Sequence, residues 1–155
     1  MPRKQVGKTP VTSEKCRRDL EDLIRNFETH LRGGELRTKV LALIPVFQGL
    51  RDLGKSLIPN ELARAARDRI LYYFRQYPKV VINGNELLVV SGIQEYARRL
   101  RELRVQQGWA IASGVTIKDM CEAEADDVPN ELKLMSPDDY VLLRDISHGP
   151  HSRTI

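Results

Sequence analysis

The chain has 155 residues, 41% apolar and 30% charged, which reads as one folded domain, or one with an appendage, and excludes a disordered chain. No stretch approaches the roughly 18 apolar residues of a membrane span, and the first residues hold Arg3, Lys4, Lys8 and Lys15 without the apolar run of a secretory signal. Cys16 and Cys121 are the only cysteines, and with three histidines they fit no zinc-ligand spacing. A reduced, cytoplasmic setting is expected, with no metal and no cofactor.

Charge is unevenly spread. Residues 1–18 hold six basic residues against one acidic, and residues 60–108 hold nine against five. Residues 109–145 reverse this, with three basic against nine acidic. A basic front and middle suits a polyanionic partner, whereas a surface of mixed sign is the plain alternative.

In chain order, residues 1–11 read as a flexible basic arm. Cys16, Leu20, Leu23, Ile24, Phe27 and Leu31 recur at helical spacing, with Thr12 or Ser13 as the cap and Gly33-Gly34 as the stop. Residues 35–53 are apolar on most faces and predict a helix buried against several neighbours, kinked or split at Pro45. The N-terminal helical region is expected to span 12–59. Asn60 is the expected cap of a helix running to Pro78, with Leu62, Ala63, Ala66, Ile70, Leu71 and Phe74 along one side. A β-prone run at 80–82 and an Asn83-Gly84 turn signal follow. Next come a short helix at 86–90, a Ser91-Gly92 break, a helix at 94–107 ended by Gly108, and a strand at 109–112. Residues 113–139 read as a long acidic insertion with a helical turn or two, before a second strand at 140–143. Residues 146–155 read as a frayed tail.

Over 60–145 this order of helices and strands is that of a winged helix with a helix-turn-helix at its centre. On a helical wheel, Ile93, Tyr96, Ala97, Leu100 and Leu103 of the second helix face the core. Gln94, Glu95, Arg98, Arg101, Glu102 and Val105 point away. Arginine can pair with guanine O6 and N7, and glutamine with adenine N6 and N7, so Gln94, Arg98 and Arg101 suit the major groove. Arg99, Arg104 and Lys79 suit flanking phosphates. The bland alternative is a solvated face laced by Glu95–Arg99 and Arg98–Glu102 pairs. An acidic wing would be repelled by phosphate, so residues 113–139 are expected to lie off the duplex.

The stretches LRTKVLALIPVFQGLRDLGKSLIP, ARDRILYYFRQYP, ELLVVSGIQEYARRLRELRVQQGWAI and PDDYVLL resemble the N-terminal region of bacterial HNH restriction-type endonucleases. The resemblance covers about residues 16–145. It implies a winged-helix-like DNA-binding region, with Gly92, Tyr96, Arg98, Arg99, Leu100, Arg101, Leu103, Arg104 and Trp109 in the recognition module. In that family a nuclease domain follows and supplies histidines and an asparagine that hold a divalent metal. Here His148 and His151 stand near the last residue without such a constellation, so no catalytic residue is expected in this chain.

The expected fold is mainly α, of α+β type: an N-terminal helical region plus a winged-helix or helix-turn-helix domain with a small antiparallel sheet. The expected function is binding of double-stranded DNA. The alternatives are a stand-alone dimeric regulator, with 12–53 at its interface, an HNH-type endonuclease in its own right, or a protein-interaction module. Expected partners are DNA and either a second copy or a nuclease chain, with no membrane.

Overall fold

A computed structural model describes residues 11–123 and 128–145, and the chain divides into two compact units between Leu62 and Ala63. The fold is α+β and mainly helical, with one small antiparallel sheet. The arm at 1–10, the acids at 124–127 and the tail from 146 onward, with His148 and His151, lie outside the described residues. No helix among the described residues is long and apolar enough to cross a membrane.

The first unit is a hairpin of two long helices, α1 (Val11–Arg32) and α2 (Leu36–Ser56). Gly34 sits at φ 97°, a conformation that costs other residues a Cβ clash, and so turns the chain between them. Ser13, Cys16, Leu20, Leu23 and Phe27 line the inward side of α1, spaced alternately three and four apart. Ala42, Val46, Gly49, Leu53 and Ser56 answer them from α2 with the same alternation. That repeat gives a coiled-coil-like seam. A Cβ on Gly49 would come within 3.2 Å of Leu23 Cδ1, so glycine allows the helices to close there. Along the outside of α1, Arg17 pairs with Glu14 and Glu21 at 2.6 Å, and its guanidinium pulls the Glu14 carboxyl down to about 2.

Three expectations for this unit are corrected. Ser13 does not cap α1. It lies inside the helix, and its hydroxyl donates to the Ser56 carbonyl at 3.0 Å. Pro45 does not split α2, which runs unbroken from Leu36 to Ser56. The carbonyl that proline leaves without an N–H donor belongs to Leu41, and both residues are exposed, so water can take its place. Nor is α2 buried on most faces: Leu36, Val40, Phe47 and Leu50 are 78%, 53%, 64% and 55% exposed.

The second unit runs α3 (Ala66–Gln76), β1 (Ile82–Asn83), α4 (Gly84–Ser91), α5 (Tyr96–Arg101), β2 (Ile111–Ser113), α6 (Gly114–Glu122), α7 (Asn130–Lys133) and β3 (Asp139–Leu142). The strands pair antiparallel in the order β1-β3-β2, with Ile82 opposite Tyr140 and Ala112 opposite Val141. Ile70, Phe74, Ile82, Leu87, Leu100, Leu103, Ile111 and Leu142 form the main core. A second cluster of Ala112, Ile117, Val128, Leu132 and Val141 joins the sheet to α6 and α7.

Here too the structure departs from the sequence pattern. Asn60 caps no helix: Leu62 N–H closes a turn on Pro59 C=O, and α3 begins only after Ala65. The Asn83-Gly84 pair is a helix start. Asn83 Oδ1 accepts from Asn85 N–H at 2.7 Å, while Glu86 accepts from Asn83 N–H at 2.7 Å. This reciprocal pair satisfies donors that the first turn leaves open. The acidic insertion carries more helix than the turn or two expected, since its described residues include α6 and α7, capped at the start of α6 by the Ser113 hydroxyl.

Candidate nucleic-acid interface

The candidate surface is the outer face of α5 and the segment that continues it. The turn before α5 is closely specified. Gly92 ends α4 at φ 68°, with its N–H on Leu88 C=O. Ser91 is fully buried, and its Oγ accepts from Ile93 N–H at 3.3 Å. Arg98 N–H bonds Glu95 C=O, so the helix starts at Tyr96 and not at Gln94. Glu102–Gln106 then continue as a π-helical stretch, and Gly108 ends it at φ 69°.

Leu100 and Leu103 point into the core, 2% and 0% exposed, as the wheel requires. Two wheel positions are corrected. Ala97 is exposed, and the side chain of Glu102 is only 17% exposed. The reason for the second is local: Glu102 accepts from Arg99 Nη1 at 2.6 Å and lies within 3.9 Å of Arg67 and 4.0 Å of Arg98. One carboxylate thus gathers three guanidinium groups. No Glu95–Arg99 pair forms. Arg101 makes no ion pair or side-chain hydrogen bond among the described residues, and Arg104 makes no ion pair there.

Gln94, Arg98, Arg101 and Arg104 are all exposed, and Arg99 is half-buried by its bond to Glu102. Lys79 is exposed as well. It holds φ 62°, and its N–H donates to Leu142 C=O at 2.8 Å. Lys79 is thereby fixed at the end of β3 at the cost of a left-handed backbone.

One positioning residue escaped the sequence reading. Arg69 of α3 is 6% exposed. Its Nε donates to Val90 C=O at 2.9 Å, its Nη2 to Ser91 C=O at 2.6 Å, and its Nη1 to Arg64 C=O. A buried cation on the last carbonyls of α4 neutralises the negative helix end. It also fixes the turn from which α5 departs. Burial lowers the Arg69 pKa, and Asp68 offsets part of the shift. No periodicity marks this role: an arginine beside Asp68 looks like an ordinary helix-surface charge. Tyr73 fixes the other end of α4 by donating to Glu86 at 2.7 Å, and burial, with Glu86 next, pushes the phenol up to about 12. Arg75 stacks over Trp109, 5.5 Å from the ring centroid, and pairs with Asp145 at 3.0 Å.

Away from this face, α6 and α7 border a cleft of about 590 Å³ lined by Val115, Lys118, Cys121, Leu132 and Met135. Among the described residues no group of three His, Cys, Asp or Glu side chains lies close enough together to hold a metal ion.

Residues 67–143 match the family model described as the KpnI N-terminal domain. This stretch is similar to the N-terminal region of a restriction enzyme. The match begins at the second residue of α3 and ends just after β3, so it spans α4, α5 and the whole sheet and leaves out the hairpin. No curated protein and no solved structure matches the chain.

Proposed function

We propose that residues 63–145 bind double-stranded DNA in the manner of a winged helix, as a relative of the recognition region that precedes the nuclease domain in HNH restriction endonucleases. The observation that carries this reading is the α5 face: Arg98 and Arg101 stand exposed on a helix held from behind by Leu100 and Leu103. The sheet order β1-β3-β2, with α4 and α5 between the first two strands in sequence, supports the winged-helix comparison. The match to a restriction-enzyme domain over the same residues supports DNA as the partner.

In this reading Gln94, Arg98 and Arg101 meet base edges, and Arg99, Arg104 and Lys79 meet phosphates. Asp119, Glu122 and Glu131 sit on α6 and α7 and stay away from the backbone anions. The test is fluorescence polarisation with a mixed-sequence duplex across a salt series, comparing the parent with Arg98→Ala/Arg101→Ala. Parent binding should fall steeply with salt. Each base-contacting arginine should be worth about 1–3 kcal/mol, and Arg99→Ala should reduce the salt slope by about one. Absence of binding at low salt, or a double variant that binds like the parent, overturns the proposal.

A further inference from the structure

The hairpin leaves one face without a partner, and the pattern of that face states what would fit it. Besides the seam toward α1, α2 carries a second row: Leu36, Val40, Leu43, Phe47 and Leu50, spaced four, three, four, three. That is the spacing of another coiled-coil seam, which calls for a helical partner. Four of its five side chains are more than half exposed. On α1, Ile24 and Leu31 are 52% and 56% exposed. At about 100° per residue, both rows are displaced from the shared seam in the direction of increasing number. Because the helices are antiparallel, that direction leads to the same side of the hairpin, so the rows merge into one apolar face.

We infer that this face binds a second copy of itself, forming a four-helix bundle from two hairpins. Three observations favour self-association over another occupant. The first is charge. The α1 edge of the face carries Glu14, Glu21 and Glu28 at seven-residue intervals, with Arg17 and Arg32 paired to them, and the α2 edge carries Arg37 and Arg51. A two-fold axis parallel to the helices lays α1 of one copy under α2 of the other, so the glutamate row meets the arginine edge. An axis across the helices would stack acid on acid.

The second is register. Within the hairpin, Ser13 meets Ser56, and Gly49 lies against Leu20 and Leu23. A parallel two-fold axis preserves height along the bundle. Ile24 then faces the partner's Phe47, Leu31 the partner's Val40 and Glu21 the partner's Arg51. Apolar residues meet apolar ones and opposite charges meet, with no sliding. The third is area. Two helices about 30 Å long and about 10 Å apart offer roughly 600 Å² per copy, or about 1,200 Å² in all, the lower bound of a specific interface.

The inference does not rest on DNA binding, and its readout is mass. Light scattering after size exclusion of the full chain should give a dimer that dissociates on dilution. Phe47→Glu should give a monomer with unchanged far-UV circular dichroism, since the side chain is exposed in the single hairpin. Arg51→Glu should weaken dimerisation about tenfold through its two symmetric sites, and adding Glu21→Arg to the same chain should restore it. With Cys16 and Cys121 replaced by serine, mixing Leu31→Cys chains with Val40→Cys chains should give a mixed disulfide. Disulfides only between like-substituted chains would overturn the arrangement. A monomer at every concentration, or a dimer indifferent to Phe47→Glu, would overturn the inference.

Discussion

The two units use the same apolar residue types to different ends. In the second, Ile70, Phe74, Leu87, Leu103 and Leu142 are wholly buried, and three short strands give a small helical domain a floor. In the first, two helices meet along one seam, and leucine, valine and phenylalanine stay exposed on α2. Two helices side by side have two flanks, and only one stripe of each can be covered by the other. A strong apolar pattern therefore specifies that a helix will be covered without specifying what covers it.

Paired substitutions sharpen this contrast. The largest effects belong to the second unit. A Cβ at Gly114 would overlap the Ser136 carbonyl oxygen, so Gly114→Ala should unfold this unit or cost more than about 4 kcal/mol in urea melts. Phe74→Ala should cost about 3–5 kcal/mol, whereas Phe47→Ala, 64% exposed, should alter the stability of the single hairpin by no more than about 0.5 kcal/mol. If the two phenylalanines cost the same in dilute solution, the hairpin face is covered within the chain.

Smaller changes probe how α5 is aimed. Arg69→Ala leaves the Val90 and Ser91 carbonyls without their donor and should cost about 1–3 kcal/mol. Arg69→Lys, lacking the forked geometry, should rescue only part of this. Lys79→Gly relieves a left-handed backbone and should raise the thermal midpoint, by an amount equivalent to about 1 kcal/mol, while removing the phosphate contact proposed for Lys79. The smallest effect is expected at Gly49→Ala. Helix propensity favours it by about 1 kcal/mol, and displacing Leu23 costs a similar amount, so the melting curve should barely move.

The order of elements was legible where glycine marks a stop, at Gly34 and Gly92 in the left-handed conformation, whereas Asn83 with Glu86 and Ser113 open helices that the sequence pattern presents as a turn and an acidic insertion. Leu100 and Leu103 were readable as core because a helix wheel is a good guide while the helix stays regular. The wheel drifted at Ala97 and Glu102, where α5 begins late and passes into a π-helical stretch. Arg69 was illegible for another reason. Two of its three partners are backbone carbonyls more than 20 residues away in sequence, and no side-chain pattern records them. The exposed row of α2 was misread because a window of apolar residues counts what must leave water and not how many neighbours the chain supplies.

The glycines that open α4 and α6 have a practical consequence. Gly84 donates its N–H to Asp138 C=O at 3.0 Å and lies where a Cβ would come within 2.6 Å of the Tyr96 hydroxyl. Gly114 lies against Ser136 of the same short stretch. Residues 136–138 are all at the surface, and by exposure alone they would be chosen for an affinity tag, a spliced-in peptide or a permuted terminus. Yet this stretch is the common footing of both helix starts. Lengthening it by even one residue would unseat α4 and α6 together, making a conspicuous surface loop one of the least editable places in the second unit.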